Sequence, residues 1–77
     1  MMGGSELILV GCESGDWEAV YVNGKLEVDG HSISTDIWFD LIKRCKYFNN
    51  VFRLTVTDDY MERGLPFLFT DIPDNVF

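Results

Sequence analysis

The dipeptide Asn23-Gly24, set between Trp17-Glu-Ala-Val-Tyr-Val and Lys25-Leu-Glu-Val-Asp, constrains the fold of this chain more than any other feature. Asn and Gly are the residues that best tolerate the two positive-φ positions of a two-residue type I′ hairpin turn. Closing that turn predicts a register in which Tyr21 faces Leu26, Ala19 faces Val28 and Trp17 faces Gly30. Val22 then faces Lys25, Val20 faces Glu27 and Glu18 faces Asp29. Cross-strand partners share a face, so one side of the hairpin is apolar and the other carries Glu18, Glu27 and Asp29.

The rest of the chain reads as short elements around that hairpin. Residues 6–12, Glu-Leu-Ile-Leu-Val-Gly-Cys, form a continuous apolar run suited to a strand covered on both faces. Ser34 or Thr35 caps a helix over residues 35–46, with Asp36 in its first turn and Lys43, Arg44 and Lys46 in its last. Ile37, Trp38, Leu41, Ile42 and Cys45 recur at spacings of three and four and make its apolar stripe, while Phe39 falls outside it. Residues 51–57 alternate, with Phe52, Leu54 and Val56 on one side. Asp58 to Gly64 suits a helical turn, and after Pro66 the apolar run 67–72 reads as an edge strand or extended tail.

The predicted class is α+β: a small, antiparallel-rich sheet of three to four strands in β-β-β-α-β order, with one helix on one face and an extended C-terminal segment. The last strand is expected to return beside residues 6–12. The helix stripe is expected to cover Trp17, Tyr21, Leu26, Phe52 and Leu54. Residues 1–5 read as a flexible N-terminus or a vector-derived remnant, and residues 6–77 as one domain.

Charge narrows the partners. The net charge of −7 argues against binding nucleic acid or an anionic membrane, both of which need clustered Lys and Arg, and favours a basic protein surface. The acids concentrate in residues 1–42, where Lys25 is the only Lys or Arg. Two cysteines cannot build a disulfide framework, and the sequence contains neither a secretory leader pattern nor a membrane-length apolar span, so a cytoplasmic location is expected. With two Trp, three Tyr and six Phe on so short a chain, some aromatic surface is expected at an interface, and a homodimer is expected with Phe67-Leu68-Phe69 contributing.

Catalytic patterns are sparse. His31 is the sole histidine, and its neighbours Asp29 and Ser32 do not form a nucleophile–base–acid arrangement on an extended chain. Cys12, Cys45 and His31 lack the paired local spacing of a zinc site. Asp58, Asp59 and Glu62 read as a strand-end turn. Phosphate-loop and nucleophile-elbow motifs do not occur, and neither a metal nor a cofactor is expected.

The segment Gly15-Asp-Trp-Glu-Ala-Val-Tyr-Val-Asn-Gly-Lys-Leu26 followed by Gly30-His-Ser-Ile33 resembles a pattern in a family of small uncharacterised bacterial and phage proteins. Those run G-D-W-E-x-L-Y-V-[ND]-G-K-L, then G-H-S, a helix, a strand and a Leu-Pro-containing tail, which Leu65-Pro66 matches. The resemblance implies no reaction.

The expected function is a small, acidic, non-enzymatic protein-binding module of the phage or mobile-element inhibitor or adaptor type. It would dock on a basic surface through Glu18, Glu27 and Asp29, with Phe39 as an apolar contact. One alternative is a small-molecule sensor or minor enzyme using His31 with nearby carboxylates. The other is a structural dimer module.

Overall fold

A computed structural model describes residues 5–45 and 47–77. Its elements run β1 (Ser5–Cys12), β2 (Glu18–Val22), β3 (Lys25–Gly30), α1 (Thr35–Cys45), β4 (Phe48–Val56) and α2 (Asp58–Glu62), followed by 3₁₀ turns at Phe69–Asp71 and Asp74–Val76. The chain is α+β, in the expected element order. Ser5 belongs to β1 rather than to a flexible N-terminus, and residues 1–4 and the expected last helical residue, Lys46, lie outside the described residues.

The four strands form one mixed sheet in the order β3-β2-β1-β4. β1–β2 and β2–β3 pair antiparallel, and β4 returns beside β1 in parallel. A parallel return needs a crossover of a dozen or more residues, and α1 fills it. Ser34 starts that helix, its Oγ accepting from the Ile37 N–H at 3.4 Å.

The turn forms as expected, with φ of 53° at Asn23 and 80° at Gly24. The pairs Val22–Lys25 and Tyr21–Leu26 also form as expected. Beyond them the predicted register fails. A β-bulge shifts the ladder so that Val20 faces Val28, Ala19 faces Asp29 and Glu18 faces Gly30. Glu27 is the extra residue opposite the Val20/Tyr21 step, as a bulge places two residues against one. The consequence is an exchange of faces. Val28 moves to the side of Val20, and Asp29 moves to the side of Ala19 and Tyr21.

Both faces of the sheet are covered, and the helix covers the one not predicted. On one side Leu7, Val20, Val22, Ile33 and Leu41 pack with Val28, Ile37, Trp38, Cys45 and Phe48. On the other, Ile8, Val10, Cys12, Ala19, Tyr21 and Val56 pack with Trp17, Leu26 and Leu54 beneath Met61, Leu65, Phe69 and Ile72 of the C-terminal segment. Trp17, Tyr21, Leu26 and Leu54 therefore lie under that segment, not under α1, and Phe52 on the same side is half exposed. In α1, Leu41 is 1% exposed at the centre of the stripe, Ile42 is 51% exposed and not part of it, and Phe39 is 61% exposed, as its phase implies.

The C-terminal segment is tied down along its length. It makes a single bridge from Leu68 to Lys25. The Leu26 N–H donates to Phe67 and the Phe69 N–H to Gly24, both at 2.8 Å. The Tyr21 hydroxyl donates to the Pro66 carbonyl at 2.6 Å, and the Thr57 N–H donates to Val76 at 2.9 Å. Leu68 is thus part of this chain's own fold. Phe39 and Phe67 are both exposed, at 61% and 60%. Among the described residues no helix is long and apolar enough to cross a membrane.

Candidate functional site: an acidic cleft beside Trp17

The carboxyl ends of β1, β3 and β4 open into a cleft of about 630 Å³ lined by Cys12, Ser14, Asp16, Trp17, Asp29, Asp58, Met61, Glu62 and Gly64. Each side chain arrives for a local reason. Cys12 ends β1, and the chain reverses there through Gly15, which has φ of 80° and donates its N–H to the Cys12 carbonyl at 3.0 Å. The Ser14 N–H donates to Asp58 Oδ1 at 3.0 Å, and Ser14 Oγ accepts from the Asp16 N–H at 3.3 Å. Asp58 sits in the first turn of α2, which Thr57 caps by accepting from the Tyr60 N–H. The hydrogen bonds from the Ser14 backbone, the Ser14 hydroxyl and the Cys12 thiol hold the Asp58 carboxyl below its ordinary range.

Asp29 reaches the cleft because of the bulge at Glu27. On an unbroken ladder it would face Glu18 on the helix side. Here it pairs with Ala19 and accepts the Trp17 indole N–H at 3.3 Å. The Trp17 ring is braced from outside by His31, whose ring meets it edge to face with centroids 4.6 Å apart. The His31 Nδ1–H in turn donates to the Asp16 carbonyl at 3.1 Å.

The cleft therefore gathers Asp16, Asp29, Asp58 and Glu62 around one indole, and no Lys or Arg lines it. Both ion pairs among the described residues are made by Arg44 on the far side of the sheet. No group of three or more His, Cys, Asp or Glu among the described residues has metal-holding geometry. The arrangement suits an elongated organic cation: carboxylates spread along the walls meet its charge, and Trp17 and Met61 accept its apolar stem.

The residues singled out from the sequence are dispersed. Glu18 turns to the helix side, where its Oε1 accepts from the Ile33 N–H at 3.3 Å. Glu27 pairs with Arg44 at 3.1 Å, and Arg44 also reaches Asp40 at 2.9 Å. Glu18 and Asp29 do not face each other, so the continuous acidic hairpin face does not exist. Asp29 alone of the three carboxylates enters the cleft, and Phe39 stands exposed on α1. His31 is a hairpin–helix junction residue beside the cleft and not on its wall.

Sequence reading missed Asp16 and Trp17 as cleft residues and took Asp58 and Glu62 for a plain turn. The available signal was Ala19-Val20-Tyr21-Val22. Its unbroken apolar run, like that of β1, marks a strand buried on both faces, and so requires a second cover over the Tyr21 side.

No family model, curated protein or solved structure matches this chain.

Proposed function

We propose that this chain is a small, acidic, non-enzymatic binding module whose cleft takes an arginine or lysine side chain from a basic surface of another protein. The carrying observation is the cleft itself, with four carboxylates around Trp17 and no basic residue among those lining it. A guanidinium there relieves carboxylate–carboxylate repulsion, and its flat face matches the indole. The net charge of −7 supports rapid, electrostatically steered docking. An inhibitor or adaptor of the phage or mobile-element type is the concrete form of this reading. It rests on small size and acidity, and on the resemblance carried by residues 15–26 and 30–33. A cytoplasmic setting belongs to the same proposal, supported by two cysteines that carry no disulfide.

The cleft volume favours one second reading, a sensor for a free small cation, because about 300–1,000 Å³ is the usual size of a small-molecule site. Titration with arginine methyl ester, followed by NMR at the Trp17 indole N–H, tests occupancy of the cleft. A saturating shift of that resonance is expected. An indole signal that stays fixed while the ester is raised to about 10 mM, a weak-binding range, contradicts the proposal. A tighter response to a basic peptide than to the ester identifies a protein partner, and the reverse order identifies the small-cation sensor.

A further inference from the structure

We infer that Asn23 is a conformation-gated modification site: its side-chain amide converts to aspartate and isoaspartate when the hairpin opens, and the closed fold holds that reaction off. The chemistry is local. The backbone nitrogen that follows an asparagine attacks the asparagine Cγ, a five-membered succinimide closes, and the side-chain nitrogen leaves as ammonia. Water then opens the ring at one carbonyl or the other, giving aspartate or isoaspartate. Asn49, Asn50 and Asn75 precede Asn50, Val51 and Val76, whose side chains crowd the attacking nitrogen. Asn23 precedes Gly24, which has no side chain to do so, and Asn23 is exposed to water.

The fold restrains this pair from two sides. Asn23 Oδ1 accepts the Glu6 N–H at 2.9 Å, and Asn23 Nδ2 donates to Ser5 Oγ at 3.4 Å. The Asn23 N–H donates to the Glu6 carbonyl at 2.9 Å. Backbone and side chain of Asn23 are thus both fastened to the start of β1. The C-terminal segment holds Gly24, whose carbonyl accepts the Phe69 N–H at 2.8 Å. Ring closure brings the Gly24 nitrogen against Cγ, so the Asn23–Gly24 peptide and the Asn23 side chain have to turn together. With φ of 53° and 80°, the two residues are instead committed to the type I′ turn. The reaction therefore waits for an opening that breaks the clasp on β1. Chain ends open most readily, and the clasp engages the first two residues of that strand.

The two products differ in what they do to the fold. Aspartate keeps an acceptor for the Glu6 N–H, and Asp-Gly is itself a type I′ pair. Isoaspartate runs the backbone through the side-chain carbon and lengthens the turn by one atom. Hairpin register depends on loop length, so an isoaspartyl chain does not close the same hairpin again. Opening at this turn is thereby recorded irreversibly. The inference stands independently of the cleft.

Fragment mass spectrometry during incubation at mildly alkaline pH tests it, comparing the chain in native buffer with the same chain in concentrated urea. Conversion at Asn23 is expected in urea. In native buffer it is expected to be at least about tenfold slower, the effect of an opening free energy of ~1.4 kcal/mol. Glu6→Pro removes the N–H that Asn23 Oδ1 accepts, and is expected to speed conversion in buffer while the chain still shows a melting transition. The isoaspartyl product, returned to buffer, is expected to lack the wild-type melting transition, and Asn23→Asp to retain it. Equal rates in buffer and urea, no conversion at Asn23 in urea, or a folded Glu6→Pro chain that reacts no faster than wild type overturns the inference. The urea comparison stands even where Glu6→Pro does not fold.

Discussion

The Tyr21 hydroxyl donates to the Pro66 carbonyl across 2.6 Å and joins a fully buried residue of β2 to the C-terminal segment that covers it. This contact is one of several that fasten the segment over the second face of the sheet. The segment supplies Met61, Leu65, Phe69 and Ile72 to the core, and Met61, Glu62 and Gly64 to the cleft.

Tyr21→Phe should therefore destabilise the fold by about 0.5–1.5 kcal/mol, the net worth of one hydrogen bond. Burial, followed by the nearby Tyr60 and Asp29, pushes the Tyr21 pKa from 10.0 up to about 12. The unfolded phenol gives up its proton first as pH rises, so the stability contributed by the neutral folded phenol is full below pH 10 and declines toward pH 12. The difference between wild type and Tyr21→Phe should be constant below pH 10 and narrow above it, as read by urea denaturation at a series of pH values.

Gly24→Val should cost more than about 1 kcal/mol, because Gly24 has φ of 80° and a β-branched residue is strained there. No atom lies within 4 Å of the added Cβ, so the cost is backbone conformation rather than a clash. Gly24→Asn, which tolerates positive φ, should recover much of the loss. Chemical denaturation of the two variants separates conformation from side-chain size.

Leu41→Ala should cost about 2–5 kcal/mol, since Leu41 is 1% exposed against Leu7, Val20, Val22 and Ile33. Phe39→Ser, at a residue 61% exposed, should change stability by less than about 0.5 kcal/mol. Thermal unfolding of both variants checks the phase of α1.

The sequence carried the elements more clearly than their faces. Asn23-Gly24 specified the turn and its first two cross-strand pairs because positive φ is a local requirement. The bulge at Glu27 was not legible, since Leu26 and Val28 have the spacing of an uninterrupted strand. Its cause is tertiary: the shift packs the partly buried Val28 on the α1 side, frees Glu27 to meet Arg44 and turns Asp29 toward Trp17. One misplaced residue exchanged two faces, as a period of two requires, and moved the candidate site from a hairpin face to a cleft. That cleft draws on the β1–β2 turn, β3, α2 and Gly64. No single stretch of sequence contains it.

Calorimetric titration with an arginine-rich peptide, comparing two double variants, tests the cleft most directly. Asp29→Asn with Glu62→Gln removes two cleft charges while keeping an acceptor for the Trp17 indole. Glu18→Gln with Glu27→Gln removes the two hairpin carboxylates that lie outside the cleft. The cleft variant should bind at least about tenfold more weakly, or ~1.4 kcal/mol, with the hairpin variant close to wild type. Unimpaired binding by the cleft variant, or a loss confined to the hairpin variant, would contradict the assignment of the site.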